Sequence, residues 1–121
     1  LEGLRVSSHF FIDRSGRLFQ YVSCLDRAWH AGVSSYEGRE NCNDFSIGVE
    51  LEGTDSAPYE QAQYETLGRL TDALAEAYPI KYVTGHSMIA PLRKTDPGPA
   101  FDWLTYESLC KTGKPLCFPY V

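Results

Sequence analysis

The sequence predicts one α/β domain of α+β character, in which helices flank a mixed central β-sheet. Three observations support this fold class. Segments 5–22 and 45–51 alternate apolar and polar residues as strands do. Segment 60–78 changes to the period of an amphipathic helix. The 121 residues, of which 43% are apolar and 22% charged, suffice for one domain with a modest core.

The first segment, 5–22, predicts a β-hairpin. Its first strand places apolar residues on one face and the side chains of His9 and Phe11 on the other. The turn at 13–16 ends in Gly16, which can take a positive φ. Segment 23–44 then has no regular pattern.

A long irregular segment inside a compact domain is often functional. Within 23–44, Trp29 and His30 combine an aromatic wall with a polar group, which is a common contact for a sugar or peptide. The alternative is that Trp29 only anchors the loop to the core. The residues alone leave both roles open.

The clearest strand is 45–51. Its odd positions are apolar and predict a core face, whereas Gly48 on the other face leaves space beside Glu50. A carboxylate that faces a gap on a central strand is costly unless it is paired or used in chemistry. Glu50 is therefore a catalytic candidate, with a strand-edge salt bridge as the alternative, and we expect a structural role for Glu52.

The later elements predict a scaffold. Segment 60–78 is a helix that covers the sheet and ends at Pro79. Its expected buried stripe consists of Leu67, Leu70, Leu74 and Ala77. Segment 81–84 predicts a short strand and 103–110 a short helix, and the tail 113–121 looks irregular.

The segment 85–99 holds the most reactive side chains. Five Gly and Pro residues there predict a constrained loop that is neither helix nor central strand. His86 and Asp96 are suitable zinc ligands, and Lys94 would place positive charge where water attack on a carbonyl creates negative charge. His-x9-Asp is not a general zinc signature, so a structural histidine and a simple turn remain open on spacing alone.

Four blocks, spread over about residues 4–104, carry a resemblance to a known family. They are Val6-Ser7-Ser8-His9-Phe10, Ala28-Trp29-His30-Ala31-Gly32, Asn43-Asp44-Phe45-Ser46-Ile47-Gly48-Val49-Glu50-Leu51-Glu52-Gly53-Thr54-Asp55, and Thr84-Gly85-His86 with Arg93-Lys94-Thr95-Asp96-Pro97-Gly98-Pro99-Ala100-Phe101-Asp102-Trp103. In this order they resemble the zinc-dependent N-acetylmuramoyl-L-alanine amidases of the AmpD type, which are related to T7-type lysozyme amidases and peptidoglycan recognition proteins.

The resemblance implies a zinc hydrolase of cell-wall recycling. Its substrate would be a cytosolic muropeptide, cut between N-acetylmuramic acid, in its 1,6-anhydro form, and L-alanine. His86 and Asp96 would bind Zn²⁺, Glu50 would be the general base and Lys94 would stabilise the oxyanion. His9 corresponds to a histidine that is not a metal ligand.

The resemblance also bears on substrate contacts. Trp29 and His30 would border the substrate groove. By its charge alone, Arg5 could hold a peptide carboxylate, or it could be a solvated surface charge. With a net charge of −5, no dense basic run and no apolar stretch near the roughly 20 residues of a membrane helix, we expect neither nucleic acid nor membrane as a partner. The oligomeric state stays open.

One departure from the family is the first zinc ligand, a His on a strand before the Ser-x-His block. Residues 1–5 contain no His, so we expect this ligand and its strand in a segment before Leu1. The amidase domain, 1–112, would then be incomplete at its N-terminus, with 113–121 as a tail.

Two other functions remain as alternatives. Relatives without a complete metal site bind muropeptide and do not cut it, although Asp96 argues against such a binding module. A thiol hydrolase is the second alternative, but no cysteine has a recognisable nucleophile context. The four cysteines are Cys24, Cys42, Cys110 and Cys117. They form no Cys-x2-Cys pair, and in a chain without a visible secretory signal we expect free thiols and a cytoplasmic location.

Overall fold

The structure is a computed structural model that describes residues 8–25, 35–36, 39–40, 46–54, 57–90, 94 and 96–119. Within these residues the strands are β1 (Phe10–Ile12), β2 (Leu18–Gln20), β3 (Ser35–Tyr36), β4 (Arg39–Glu40) and β5 (Val49–Leu51). The helices are α1 (Gln61–Ala77), α2 (His86–Ile89) and α3 (Trp103–Leu109). In the described part of the chain, no helix combines the length and apolar character needed to cross a membrane.

The central sheet is mixed, as the sequence predicts. Its order is β2-β1-β5, with β1 antiparallel to β2 and parallel to β5. The register places Phe11 opposite Phe19 on one side and opposite Glu50 on the other. A mixed sheet flanked by helices in one domain confirms the predicted fold class.

The turn between β1 and β2 is organised by Asp13. Its Oδ1 accepts hydrogen bonds from the backbone N–H of Ser15 (3.0 Å) and of Arg17 (2.9 Å), and its Oδ2 contacts Arg17 Nε at 2.7 Å. Gly16 has a φ of 86°, a conformation that favours glycine. The predicted hairpin is therefore confirmed.

The core lies between the sheet and the helices α1 and α3. Its buried cluster consists of Phe10, Ile12, Tyr64, Leu67, Leu70, Phe101, Tyr106 and Phe118. Buried Gln63 joins the layers, because its Nε2 donates to the carbonyl oxygens of Glu52 (2.9 Å) and Ile12 (3.4 Å). Phe118, from the segment predicted to be an irregular tail, is also part of this core.

The expected buried stripe of α1 is wrong at its end. Ala77 is exposed, and fully buried Ala75 takes its place. The helix has reached its last residue at Ala77, and the chain leaves it through Tyr78, whose N–H still bonds the carbonyl of Leu74 at 2.9 Å. Ala77, the last residue of the helix, therefore lies at the surface.

The predicted strand at 81–84 is also wrong. Only an isolated parallel bridge forms there, between Tyr82 and Cys117. Pro115 and Pro119 lie on either side of Cys117, and since proline has no N–H to donate, the pairing cannot extend.

The segment 23–44, expected to be irregular, contains β3 and β4. They pair antiparallel with Ser35 opposite Glu40. In the sequence only two residues, Glu37 and Gly38, separate these strands, and a glycine in so short a spacing is a hairpin signal that the polar composition of the segment obscures.

Candidate metal centre and active site

Three of the predicted site residues meet beside β5, the outer strand in the order β2-β1-β5. Glu50 comes from β5, His86 from the start of α2 and Asp96 from the following loop. His86 Nδ1 lies 2.6 Å from Asp96 Oδ2 and 3.7 Å from Glu50 Oε1. The imidazole is 8% exposed and the two carboxylates are 40% and 38% exposed. The cluster is thus anchored by a buried ring and is open to solvent on its acidic side.

The position of His86 depends on a short helix that the sequence did not predict. Residues 86–89 form α2, in which Ala90 N–H bonds the carbonyl of His86 at 2.8 Å. The expectation that 85–99 contains no helix is therefore wrong. The reason is local: the first proline after Gly85 is Pro91, which leaves room for one helical turn before it.

The ends of this loop approach each other at Gly85. A Cβ atom there would lie 2.6 Å from Pro97 Cδ, closer than side-chain atoms pack. The Ser87 N–H donates to the Asp96 carbonyl at 2.9 Å, and Lys94 N–H donates to the Ala90 carbonyl at 2.9 Å. The Asp96-Pro97 peptide bond is cis. These contacts bring Asp96 back to His86.

Aromatic packing holds the loop against the core. Tyr59 donates its hydroxyl to the carbonyl of Pro97 at 2.9 Å, and its ring packs edge-on against Phe101 at 5.6 Å. Trp103 packs against the same Phe101 at 4.8 Å. Sequence reasoning missed Tyr59 because its partner lies 38 residues away and no local pattern links the two.

The two carboxylates respond differently to this environment. Burial raises the pKa of Glu50, and the negative charge of Asp96 raises it further, against the opposing effects of His86 and Lys94. Burial alone would also raise the pKa of Asp96. The hydrogen bond and charge of His86, with the charge of Lys94, outweigh it and lower that pKa. Glu50 is the better proton acceptor, and Asp96 stays ionised more readily.

The donor set fits a metal ion. One imidazole nitrogen and two carboxylate oxygens, from His86, Asp96 and Glu50, lie within 4.8 Å of one another. Nitrogen and oxygen donors of this kind suit zinc and similar ions. Two ligands of one tetrahedral zinc stand about 3.4 Å apart, given bond lengths of about 2.1 Å. His86 Nδ1 and Asp96 Oδ2 would therefore separate slightly to admit the ion.

A cleft of about 450 Å³ adjoins the cluster. It lies between β5 and segment 79–86, and α1 and α3 contribute apolar side chains to its wall. Glu50, His86 and Asp96 belong to its lining, so the polar groups converge in a largely apolar depression, as in many small-molecule sites.

Two residues with suitable chemistry lie outside the cluster. His9 is 1% exposed, and its Nδ1 accepts a hydrogen bond from the Gly48 N–H at 3.0 Å. Glu52 Oε1 accepts one from the Arg14 N–H at 2.9 Å. Both contacts are with backbone amides, in agreement with the structural roles expected from the sequence.

The expected substrate contacts Arg5, Trp29 and His30 lie outside the described residues. They stay predictions. Lys94 lies close enough for its charge to lower the pKa of both Glu50 and Asp96, which agrees with a cation beside the site.

Residues 2–99 match the family of N-acetylmuramoyl-L-alanine amidases, and the chain belongs to this family. It is 60% identical over 108 residues to the 1,6-anhydro-N-acetylmuramyl-L-alanine amidase AmpD of Escherichia coli (strain K12), covering 88% of this chain and 59% of that protein. Identity to AmpD of Haemophilus influenzae is 51% over 111 residues, covering 89% and 60% of the two chains. The chain thus spans about three-fifths of the length of these curated relatives.

Solved structures show the same architecture. A crystal structure of a selenomethionine derivative of AmpD matches with a TM-score of 0.84 at 57% identity, over 89% of this chain and 62% of that one. AmiD from E. coli, in complex with the substrate anhydro-N-acetylmuramic acid-L-Ala-D-γ-Glu-L-Lys, matches with a TM-score of 0.82 at 36% identity. That match covers 91% of this chain and 50% of AmiD. The family resemblance inferred from the four sequence blocks is confirmed.

Proposed function

We propose that this protein is a zinc-dependent amidase that cleaves the bond between 1,6-anhydro-N-acetylmuramic acid and L-alanine in muropeptides, as part of cell-wall recycling. One observation carries the proposal: His86 and Asp96 converge beside Glu50 in a chain of the amidase family. The anhydromuramyl peptide bound to AmiD supports the substrate class.

His86 and Asp96 would hold the ion, with Glu50 close enough to be a third ligand or a base. We assign Glu50 to proton transfer, because its raised pKa suits a base more than a permanently ionised ligand. A zinc ion bound at this position would lower the pKa of a water molecule and polarise the amide carbonyl.

The residues of the chain would divide the remaining work. Glu50 takes a proton from the attacking water and delivers it to the leaving amine of L-alanine. Lys94 stabilises the negative charge that develops on the carbonyl oxygen. The pKa of Asp96 is lowered, so this carboxylate stays charged while Glu50 exchanges its proton. The pKa values of these two neighbouring carboxyl groups are shifted in opposite directions, so that one can exchange a proton while the other stays ionised.

The rest of the proposal follows the charge of Arg5 and, for the other residues and the location, the family resemblance. Arg5 would hold a carboxylate of the peptide stem, and Trp29 and His30 would border the groove. Recycled muropeptides of this kind would meet the enzyme in the cytoplasm, which cell fractionation with an antibody against the protein can test.

The direct test is hydrolysis of anhydro-N-acetylmuramic acid-L-Ala-D-γ-Glu-L-Lys by the zinc-loaded protein. Mass spectrometry should detect free anhydro-N-acetylmuramic acid and the L-Ala tripeptide. A chelator should abolish their release, and added zinc should restore it. Zinc-loaded protein that binds the muropeptide tightly without releasing either product would instead support a binding module and refute the amidase proposal.

A further inference from the structure

The sheet face that carries Glu50 also carries exposed aromatic rings. Phe11 is the register partner of both Glu50 and Phe19, and paired residues on adjacent strands project to the same face. Neighbouring strands lie about 4.8 Å apart, so Phe19 lies roughly 10 Å across the sheet from Glu50. On this face Phe11 therefore lies directly beside the proposed catalytic carboxylate of Glu50.

Three rings form a continuous surface, which we name the aromatic platform: Phe11, Phe19 and Tyr21. The ring centroids of Phe11 and Phe19 lie 6.2 Å apart, and those of Phe11 and Tyr21 6.4 Å apart with an interplanar angle of 29°. The Tyr21 N–H bonds the carbonyl of His9 at 2.9 Å, which continues the pairing of β1 with β2 and fixes the third ring beside the others.

Two rings of the platform are open to solvent and Phe11 is half-buried between β2 and β5, in contrast to the fully buried aromatic residues of the core. Phe19 is 39% and Tyr21 54% exposed, whereas Phe101 and Tyr106 are 6% and 4% exposed. A contiguous exposed apolar surface of this kind commonly marks a binding site. Its continuity with Glu50 connects it to the proposed active site.

The charge at the far end of the platform is already neutralised. The Arg17 guanidinium carbon lies 5.8 Å from the centroid of the Phe19 ring, and Arg17 Nε contacts Asp13 Oδ2 at 2.7 Å. An acidic peptide stem would gain little from this paired cation. The platform is thus better suited to a neutral partner with an apolar face.

We propose that the aromatic platform binds the saccharide ring of the muropeptide by stacking, while the scissile amide lies at Glu50. The inference rests on the proposed function and names the part of the substrate that this sheet face recognises. A sugar ring presents C–H groups on one face, which pack against aromatic rings, and hydroxyl groups at its edge, which stay hydrated. The platform would thereby orient the sugar relative to the amide.

The test compares two substrates that share the scissile amide. One is anhydro-N-acetylmuramic acid-L-Ala-D-γ-Glu-L-Lys, and the other is D-lactyl-L-Ala-D-γ-Glu-L-Lys, which lacks the sugar. For Phe19→Ala and Phe19→Leu we expect kcat/KM to fall about tenfold on the first substrate, in line with the worth of an aromatic contact. On the second substrate kcat/KM should stay within about twofold of the wild type. Phe19→Leu keeps an apolar side chain in case the alanine variant folds poorly.

Leu18→Ala is the matched control. Leu18 is exposed on the same strand but pairs with buried Ile12, so it points to the opposite face of the sheet. It should leave the turnover of both substrates unchanged. Equal losses on the two substrates for both Phe19 variants, or no loss on either, would overturn the platform proposal.

A binding measurement separates this inference from the proposed function. Saturation-transfer NMR with anhydro-N-acetylmuramic acid alone should show transfer to its ring protons in the wild type and a several-fold weaker signal in Phe19→Leu. A wild type that binds the sugar in this way and cuts neither substrate would refute the amidase and retain the platform. A wild type that cuts both substrates, with an unchanged NMR signal in the variant, would support the amidase and refute the platform.

Discussion

Two buried histidines, His9 and His86, show what separates a structural residue from a site residue in this protein. Both rings are nearly inaccessible, and in both the Nδ1 atom has a partner at hydrogen-bond distance. The partner differs: His9 Nδ1 accepts from the backbone N–H of Gly48, whereas His86 Nδ1 faces the carboxylates of Asp96 and Glu50.

The difference determines what each ring can do. Because His9 Nδ1 accepts a hydrogen bond from the Gly48 N–H, its lone pair is occupied and cannot bind a metal ion. Carboxylates around the nitrogen of His86 attract a cation, which can be a proton or a metal ion. Burial of a histidine is therefore uninformative about function until the partner of each nitrogen is known.

The same comparison between Glu50 on β5 and Glu52 just after that strand predicts the largest effect. Glu50→Gln removes the proton acceptor and should lower kcat by about 10²- to 10⁴-fold. Glu52→Gln retains an oxygen acceptor for the Arg14 N–H and should leave kcat within about twofold. Steady-state kinetics on the anhydromuramyl tripeptide checks both.

The zinc content of Glu50→Gln shows whether its loss of activity comes from the missing proton acceptor or from loss of the metal. We expect this variant to retain the zinc stoichiometry of the wild type by elemental analysis. Loss of zinc together with activity would make Glu50 a ligand, contrary to the role assigned to it.

The histidines themselves provide the second prediction. His86→Ala should lose zinc and activity and change the unfolding free energy of the metal-free protein comparatively little. His9→Ala leaves a cavity and an unsatisfied buried Gly48 N–H, and should lower that free energy by about 3 kcal/mol. Urea denaturation and zinc analysis of the folded fraction measure the two effects. A His9→Ala protein that is stable but free of zinc would reverse the comparison.

The site was more predictable from the sequence than the geometry that assembles it. The alternation around Glu50 and the donor chemistry of His86 and Asp96 are local and readable, and the family resemblance adds their roles. The closing contacts are not local: Gly85 packs on Pro97, and Tyr59 bonds the same proline across 38 residues. The short helix α2 was missed because the Gly- and Pro-rich composition of 85–99 as a whole concealed the run 86–90, which contains neither residue.

The fold shows a similar division. The amphipathic period predicts α1 well, because one strongly patterned segment carries its own signal. The bridge of Tyr82 to Cys117 depends on a partner in the tail, and nothing in 81–84 reveals that two prolines limit the pairing. Regular elements follow from the local pattern, whereas pairing between distant segments does not.

Asp13 provides a prediction about how the unfolding free energy depends on pH. Hydrogen bonds from the Ser15 side chain and then from Arg17 lower the pKa of Asp13 from its ordinary 3.8 to about 2. This stabilisation is therefore fully present above pH 4 and is lost as the pH falls through about 2. The excess unfolding free energy of the wild type over Asp13→Asn should shrink across that interval in chemical denaturation. A difference that stays constant from pH 5 to pH 2 would contradict the assignment.

We expect the smallest effect on activity from alkylation of the cysteine thiols. Burial, with the nearby charges of Asp72 and Glu107, raises the pKa of Cys110 to about 11, and this thiol is half-buried, whereas Cys117 is exposed. At pH 8 iodoacetamide should label Cys117 at least about tenfold faster than Cys110, as followed by peptide mass spectrometry. Labelling of the exposed thiol should leave amidase activity unchanged. Parallel loss of activity and thiol would favour a thiol hydrolase.

The central claim is that His86 and Asp96 grip one metal ion. A zinc-edge anomalous map from crystals of the zinc-loaded protein tests it most directly. We expect a single strong peak within about 2.2 Å of both His86 Nδ1 and Asp96 Oδ2, with the two atoms moved apart from their 2.6 Å contact. A map in which that contact persists, with zinc bound elsewhere or nowhere, would contradict it.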